Sequence, residues 1–469
     1  MARNLQSPLP PAAEEFRRRT SAQVIETAIS WILLTEFRAY KVKKSVDLPF
    51  IDYSTPERRC HWCAEEVRLN RRYAPGLYLG VERIGEVTDN SDQSATFECA
   101  VVMRRFDEEL RLDHQCQHDG LTLDEIGQLA RVVVRMHSRA DIAGAETPYG
   151  TPAEVLRVVL ESVTELRSFF AADASELPKI ESWLRTTFQQ RHQDFDRRRS
   201  AGHIREGHGD LHLANLVLLD GEVVPFDCIE FSAELRWIDI ASELAFTYID
   251  LLDHRRGDLA SWLLNEWLGI SGDYPALAVF RFYGVYRALV RAKVAARTGD
   301  LTATSDYLRL ADDLISSPEP RLLITHGLSG SGKTVASGEM LLADATASTV
   351  RIRSDVERRR MGLGYDPAAT AQTYRRLAQI ADQAIRNGWS VIVDAAFLRR
   401  TTREEFRQLA KGLDVPFGIV DCDAPVDVLR ERIEGRRGDA SEATPAVLDW
   451  QLNMQEPLTA AERQLVIDR

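Results

Sequence analysis

An apolar strand that leads into a glycine-rich loop is the feature that most constrains the fold of this chain. The strand covers residues 321–325, and the pattern Gly-x-x-x-x-Gly-Lys-Thr follows over residues 327–334. Such glycines let backbone N–H groups wrap around phosphate, and the helix that begins there adds its positive dipole. The Lys reaches the terminal phosphates and the Thr binds Mg²⁺. The pattern therefore predicts a nucleotide-binding loop at the edge of a sheet.

We expect this loop to hold ATP through eight consecutive residues, namely Gly327, Leu328, Ser329, Gly330, Ser331, Gly332, Lys333 and Thr334. Two more apolar strands follow, at residues 390–394 and 416–420, with helical segments between them. This alternation predicts a parallel α/β sheet. Asp394 ends one of these strands, where a carboxylate binds Mg²⁺ through water in many such sites. The alternative is that Asp394 is an ordinary turn residue.

A second phosphate-handling motif lies about a hundred residues earlier, at His208-Gly209-Asp210-Leu211-His212-Leu213-Ala214-Asn215. In this arrangement the Asp takes the proton from an attacking hydroxyl, and the Asn turns back to hold Mg²⁺. We therefore predict Asp210 as a catalytic base and Asn215 as a metal ligand. A hairpin with Asp220-Gly221 at its turn follows, and Asp227 lies where a second metal-binding carboxylate is needed.

A strand lysine and a helix glutamate should complete this first site. Lys41 and Lys43 point to the same face of a predicted strand, so either can bind phosphate. We favour Lys41 because it fits the form Ala-x-Lys. Its partner is Glu65 or Glu66, in the helix predicted over residues 56–72, and we favour Glu66.

The motif at residues 208–215, followed by Asp227, resembles the aminoglycoside phosphotransferase and choline kinase branch of the kinase-like fold. The resemblance covers roughly residues 20–315. It implies that Asp239 braces the catalytic loop. The chain departs from the pattern in one respect, because no Gly-x-Gly-x-x-Gly loop precedes Lys41 and residues 26–30 read Glu-Thr-Ala-Ile-Ser.

The segment around Asp355 resembles the acceptor site of P-loop polynucleotide and small-molecule kinases, including zeta toxin-like ones. This resemblance implies Asp355 as the base that activates the acceptor hydroxyl and Arg358 as the residue that orients acceptor or phosphate. A later arginine-rich helix resembles the lid of those kinases. Its arginines are Arg430, Arg432, Arg436 and Arg437, of which we favour Arg432 and Arg436 as phosphate ligands. A solvated helix face is the alternative.

As a whole, the chain resembles bacterial fusion proteins described as bifunctional aminoglycoside phosphotransferase and ATP-binding proteins. The predicted fold is an α+β protein-kinase-like bilobal domain followed by an α/β P-loop kinase domain with a parallel sheet. The predicted parts are an N-terminal extension (1–19), an N-lobe (20–112), a C-lobe (113–315), a linker (316–320) and the P-loop domain (321–469).

The net charge of −12 lies entirely in residues 1–320, because residues 321–469 contain 21 basic and 21 acidic residues. An acidic first part does not favour a phosphate-rich polymer as partner. It suits a cationic substrate, although general solubility explains the same number. We therefore expect small-molecule hydroxyl acceptors and no nucleic acid.

Six cysteines in 469 residues show no disulfide framework, so we expect free thiols and a cytoplasmic protein. Cys60-His61-Trp62-Cys63 lacks a second ligand pair and is predicted to pack as part of a helix. No apolar run reaches the roughly 18 residues of a membrane span. Residues 1–19 have no apolar core of a secretory signal.

These patterns predict an ATP- and Mg²⁺-dependent phosphotransferase with two nucleotide sites and an alcohol group as acceptor. The competing interpretation is a regulatory protein in which one domain binds ATP as a conformational switch. A third is a P-loop domain that acts as a nucleic-acid 5′-hydroxyl kinase. Retention of both Asp210 and Asp355 favours the enzyme, because a protein that only binds nucleotide needs neither base.

Overall fold

The computed structural model describes residues 8–48, 51–87, 96–169, 176–316, 318–435 and 444–467. None of the helices in these ranges is both long and apolar enough to cross a membrane.

The first part is an antiparallel sheet with a helix on each face. Its strands are β1 (Gln23–Glu26), β2 (Ser30–Leu34), β3 (Arg38–Lys43), β6 (Tyr78–Val87) and β7 (Thr96–Arg104), in the order β1-β2-β3-β7-β6, with the short hairpin β4 (Asp47–Leu48) and β5 (Ile51–Asp52) beside them. Helix α1 (Pro11–Thr20) packs on one face and α2 (Pro56–Asn70) on the other. Successive side chains of a strand point to opposite faces of the sheet, so each face packs against its own helix. Tyr40 and Val42 pack with Phe16 of α1, whereas Ala39 packs with Val67 of α2.

The cysteines correct one expectation. Cys60 on α2 and Cys99 on β7 form a disulfide with a Cα–Cα distance of 5.1 Å, so the prediction that all thiols are free was wrong. The pair is 39 residues apart, and only the packing of α2 on the sheet brings the two sulfurs together. Cys63, Cys116 and Cys228 are buried free thiols, and Cys422 is also buried.

The middle of the chain is mainly helical. Its helices are α3 (Leu112–Gln117), α4 (Leu123–Arg139), α5 (Pro152–Phe169), α6 (Glu176–Ser200), α7 (Ala233–Arg236), α8 (Ile240–Asp253), α9 (Gly257–Ser271), α10 (Leu277–Thr298) and α11 (Leu301–Ile315). Two antiparallel pairs interrupt them, β8 (Ile204–Glu206) with β11 (Trp237–Asp239), and β9 (Leu216–Leu219) with β10 (Glu222–Pro225). The β9–β10 hairpin turns at Asp220 and Gly221, both with positive φ, which confirms the predicted turn.

The last part is a parallel sheet in the order β13-β14-β12-β15. The strands are β12 (Leu322–His326), β13 (Thr349–Arg353), β14 (Ser390–Asp394) and β15 (Phe417–Asp421), and the helices are α12 (Lys333–Leu342), α13 (Ser354–Arg360), α14 (Pro367–Arg386), α15 (Arg400–Gly412), α16 (Val426–Glu434), α17 (Pro445–Met454) and α18 (Ala460–Arg463). The two central strands, β12 and β14, are mainly apolar and are buried because helices cover the sheet. The predicted combination of a kinase-like bilobal fold and a P-loop α/β fold is confirmed.

Helix α9 of the kinase-like part covers the edge of the parallel sheet. β13 is an edge strand, and an edge strand presents unpaired backbone groups. The side chain of Asn265 on α9 accepts a hydrogen bond from Arg351 N (2.6 Å) and donates one to Thr349 O (3.0 Å). Arg360 donates to Gly269 O at the end of the same helix. The strand that leads into the predicted acceptor site is thus held by the other half of the chain.

We predict that Asn265→Leu weakens this edge. The substitution removes both hydrogen bonds and leaves two buried backbone groups unpaired, at about 1–3 kcal/mol each. Amide hydrogen exchange at Arg351 should accelerate, because the opening free energy of β13 falls. Asn453→Leu, at an exposed position on α17, is the control. Unchanged protection of Arg351 in the Asn265 variant would show that the contact does not hold the strand.

Candidate active sites

Lys41 is at the centre of the first site. It lies on β3, and its Nζ is 2.9 Å from Glu66 Oε1 on α2 and 2.5 Å from Asp227 Oδ1. Burial would lower the pKa of Lys41, but Asp227 and Glu66 attract the charged form and raise it well above its usual value. Lys41 is therefore a fixed cation beside the carboxylate predicted to hold metal.

The structure separates the alternatives that the sequence left open. Lys43 is completely buried and bridges Glu66 (2.7 Å) and Glu230, and Tyr53 donates to the same Glu230. Lys43 lies two residues beyond Lys41 on β3, and of the two lysines it is Lys41 that pairs with Asp227. Glu65 pairs with Arg68 on the outer side of α2 instead. Lys41 thus lies between Glu66 and Asp227, and Lys43 lies in the buried support beneath them; the binding roles of Lys41 and Glu66 stay predictions.

The motif at residues 208–215 forms a tight loop that ends in a single 3-10 turn, Leu213–Asn215. Asn215 Nδ2 donates to Asp210 Oδ2 (3.1 Å) and to Asp210 O (2.9 Å), which ties the two predicted functional residues together. This contact uses the amide nitrogen of Asn215, and the amide oxygen is the atom that binds Mg²⁺ in such sites. His212 Nε2 lies 3.4 Å from Asp210 Oδ2.

Asp210 is held in its charged form. Burial acts to raise the pKa of Asp210, but attraction to His212 and a hydrogen bond from it leave that pKa well below the usual range. The reverse holds for His212, whose pKa rises because Asp210 outweighs burial. An ionised Asp210 can accept a hydrogen bond from an incoming hydroxyl, which is the first requirement for a general base.

Helix α8 holds this loop from below through three polar side chains on one face. Glu243 Oε1 accepts hydrogen bonds from His208 N and Gly209 N, Thr247 donates to Leu211 O, and Asp250 accepts from Leu213 N. Spacings of four and three residues place them on the same helical face. The prediction that Asp239 braces the loop was wrong, because Asp239 is engaged by Arg198 through both carboxylate oxygens.

Glu243 remains charged although it is buried. Burial acts to raise its pKa, but a hydrogen bond from His137 and attraction to that histidine lower it to about 2. His137 Nε2 lies 2.7 Å from Glu243 Oε2, so the buried imidazole has a carboxylate partner. Gly209 has φ of +87°, and a Cβ there would lie 2.7 Å from Leu235 O, so the loop requires glycine.

The hairpin above Lys41 is closed differently from a glycine-rich phosphate loop. Thr27 Oγ1 donates to Ser30 O (2.9 Å) and accepts from Ser30 N (3.0 Å), so one side chain satisfies the turn. Glu26 at the start of the turn pairs with Lys44. The absence of glycines noted in the sequence thus corresponds to a turn fixed by its own side chains.

In the second site the loop over residues 327–334 connects β12 to α12 and lines a cavity of about 980 Å³. A Cβ on Gly327 would lie 2.1 Å from Cys422 O, so only glycine fits where the loop leaves the strand. Lys333 Nζ contacts Leu328 O (2.6 Å) within the loop. The hydroxyl of Ser331 is buried and has no hydrogen-bond partner among the described residues. Both features fit a loop whose polar atoms form hydrogen bonds with a bound phosphate.

The predicted acceptor and metal residues line the same cavity. Asp355 and Arg358 lie on α13, directly after the edge strand β13, and Thr334 is the second residue of α12. Asp394, at the end of β14, is nearly buried and accepts a hydrogen bond from Ser337 on α12. Thr334 and Asp394 are an oxygen pair that can hold Mg²⁺ directly or through water.

The lid arginines divide into three groups. Arg432 on α16 lines the cavity and donates to Gly330 O (3.1 Å) in the phosphate loop. Arg430 is exposed and pairs with Asp449 on α17, outside the cavity lining. Arg436 and Arg437 lie outside the described residues. Gln451 on α17 accepts a hydrogen bond from Ser329 N, a contact the sequence did not suggest.

Some known proteins or families are similar to one part of this chain, and others to most of it. A family model described as an AAA domain matches residues 322–458. The protein named Uncharacterized protein Rv2004c, from Mycobacterium tuberculosis, is 32% identical over 449 residues, which are 90% of this chain and 88% of that protein. This chain belongs to the Rv2004c family. The long match spans both parts of the chain, so the two parts occur together in that relative as well.

Two more similarities concern single parts of the chain. An adenylyl-sulfate kinase from Myxococcus xanthus is 31% identical over 109 residues, which are 23% of this chain and 59% of the enzyme. The structure of the aminoglycoside phosphotransferase APH(2")-IIia with GDP and kanamycin is 11% identical, covers 65% of this chain and 98% of that one, and has a TM-score of 0.41. The predicted class of the chain, a kinase-type phosphotransferase, is confirmed, and no acceptor follows from it.

We predict that Glu243→Ala disrupts the first site more than Glu243→Gln. Alanine leaves two loop N–H groups and His137 without their buried partner, at a cost of roughly 3–5 kcal/mol. Glutamine keeps one oxygen as acceptor for both N–H groups, so we expect about 1–2 kcal/mol. Urea unfolding at pH 7 measures both. Equal losses for the two variants would contradict the bracing role.

Proposed function

We propose that this chain is an ATP- and Mg²⁺-dependent phosphotransferase with two nucleotide sites, each of which phosphorylates a hydroxyl group of a small molecule. One observation carries the proposal. Lys333, Asp355 and Asp394 lie around a single cavity of about 980 Å³, which is large enough for ATP and a small acceptor together. The domain limits inferred from sequence, with a linker at residues 316–320, are part of the proposal.

At the second site, ATP supplies the phosphoryl group and Mg²⁺ neutralises charge on its oxygens. Residues 327–334 bind the phosphates, with Lys333 and Arg432 as the cations. Thr334 and Asp394 would hold the metal. Asp355 takes the proton from the acceptor hydroxyl, and Arg358 orients the acceptor next to it.

At the first site, Asp210 takes the corresponding proton, and Asn215 and Asp227 would hold Mg²⁺. Lys41 is the cation for the phosphates. In the structure it contacts Asp227, so nucleotide binding requires Lys41 to share that contact with phosphate oxygens. Glu66 supports this by keeping the Lys41 ammonium in place from the opposite side.

Small molecules are favoured over nucleic acid as acceptors of the second site. A polymer needs a basic groove that neutralises several phosphates, whereas residues 321–469 are neutral and fused to an acidic part. The relative from Myxococcus xanthus is named for a small acceptor, adenylyl sulfate. Phosphorylation of a nucleic-acid 5′-hydroxyl is therefore the less favoured alternative.

A regulatory role for the first domain is the second candidate function. The turn closed by Thr27 supports it, because this turn lacks the glycines that let backbone N–H groups approach phosphates. In that case the first domain binds ATP as a switch and only the second domain turns over. The substitutions below distinguish the two.

We predict two ATP sites per chain. Lys333→Ala should weaken nucleotide binding at the second site by roughly 10- to 100-fold, because a charge-assisted contact of about 1.5–3 kcal/mol is lost. Calorimetric titration should then show one remaining site that depends on Asp227. Lys411→Ala, an exposed lysine at the end of α15, is the control. A wild-type stoichiometry of one would contradict two sites.

We also predict separate catalytic bases. Asp210→Asn and Asp355→Asn should each reduce transfer at one site by roughly two to four orders of magnitude and leave ATP affinity unchanged, because each carboxylate acts on the acceptor. Transfer of labelled phosphate from ATP to a metabolite extract, read by mass spectrometry, should lose different products in the two variants. If Asp210→Asn loses no product, the first domain is the nucleotide switch.

A further inference from the structure

Three arginines line the acceptor side of the cavity at the second site. Arg358 comes from α13, Arg375 from α14, and Arg399 from the residue before α15. They are separate from Lys333 and Arg432, which contact the phosphate loop itself. The acceptor region therefore has its own set of cations, drawn from three elements of the fold.

None of these three arginines pairs with a carboxylate among the residues that the structure describes. Arg399 contacts Met454 Sδ at 3.7 Å. Arg358 is only 8% exposed, donates to Gly364 O and lies over the ring of Tyr365, and its Nε is buried without a hydrogen-bond partner. The side chain of Arg375 makes no hydrogen bond or ion pair with the residues that the structure describes.

The neighbouring arginines show how unusual this is. Arg376, next to Arg375, pairs with Glu357 on α13, and Arg360 pairs with the same glutamate. Arg403, one turn after Arg399, pairs with Glu462. Arg360, Arg376 and Arg403 therefore have carboxylate partners. The three arginines on the acceptor side of the cavity have none among the described residues.

Unpaired guanidinium groups that converge on a concave site are strong ligands for oxyanions. The planar fork of Arg matches phosphate, sulfate and carboxylate, and charge-assisted hydrogen bonds are about twice as strong as neutral ones. Tyr365 and Tyr374 wall the same region, and Tyr374 OH is fixed because it accepts a hydrogen bond from Phe397 N. Such a site suits a small molecule with one anionic group. Glu405 also lines the cavity and can accept hydrogen bonds from hydroxyls.

We propose that the acceptor of the second site is a small alcohol that carries a phosphate, sulfate or carboxylate group, bound by Arg375 and Arg399 with Arg358 next to Asp355. This inference rests on the proposed function. The acceptor hydroxyl oxygen forms a bond to the γ-phosphorus while the bond from that phosphorus to the β–γ bridging oxygen breaks. The hydroxyl proton passes to Asp355, and ADP leaves with the electron pair of the broken bond.

Sulfate is the probe for the anion subsite, titrated by calorimetry into the full chain saturated with Mg·ADP, which occupies the phosphate loop. We expect one sulfate per chain, with affinity at least tenfold lower in the double variant Arg375→Gln/Arg399→Gln. Arg386→Gln is the matched control, because Arg386 is on the same helix α14, exposed and paired with Asp382. An affinity equal to that of the control, or an adventitious ion only, overturns the inference.

The acceptor itself is tested with a metabolite extract divided on an anion-exchange resin. Asp210→Asn serves as background, so that labelled phosphate reports the second site. We expect transfer to the resin-bound small-molecule fraction, lost in the double variant and in Asp355→Asn. Transfer to the neutral flow-through, or to single-stranded DNA or RNA, overturns the anionic small-alcohol assignment.

Different results would contradict the proposed function and the anion subsite. If Mg·ADP does not bind the wild-type chain in a Lys333-dependent manner, the proposed function is wrong. If Mg·ADP binds in this manner and the double variant behaves as the Arg386 control in both assays, the anion subsite is wrong. The phosphotransferase proposal is then not contradicted. Arg375→Lys/Arg399→Lys should restore part of the sulfate affinity, since charge is kept and the fork is lost.

Discussion

The two hydrogen bonds between Asn265 and strand β13 are the contact on which the arrangement of this molecule depends. A parallel sheet with an open edge strand is a liability, and here the edge is completed by a helix from the kinase-like half. Asp355, the predicted base, follows β13 directly, so its position is set partly by residues outside the P-loop domain. Trp389 Nε1, which donates to Leu277 O, and Tyr248 OH, which donates to Ala347 O, join the halves at two more buried points.

The sequence predicted those parts of both sites that are local in the chain. Residues 208–215 and 327–334 carry their geometry in their own spacing, because the loop, its glycines and the next element are contiguous. The parallel strands were also predictable from the sequence, since buried strands are continuous apolar runs. Choosing between Lys41 and Lys43 was a different problem. Both point to one face of β3, and only the position of Asp227, 186 residues from Lys41, separates them.

What the sequence did not reveal comes from contacts between distant segments. The brace on the catalytic loop was assigned to Asp239, whereas Glu243 provides it, one helical turn later. A signal existed, because Glu243, Thr247 and Asp250 are polar residues at helical spacing in the otherwise apolar helix α8. The Cys60–Cys99 pair offered no such signal, since its two members belong to unrelated local patterns.

The same contacts join the two sites physically. Helix α8 holds the catalytic loop through Glu243, and α9, which packs against α8, holds β13 through Asn265. Arg351 on β13 extends the connection, because its guanidinium lies over Trp262 of α9 and donates to Thr334 O at the phosphate loop. Separating the halves at the linker would break the hydrogen bonds between Asn265 and β13. The fusion therefore does more than tether two domains, since each half supplies polar partners to the other.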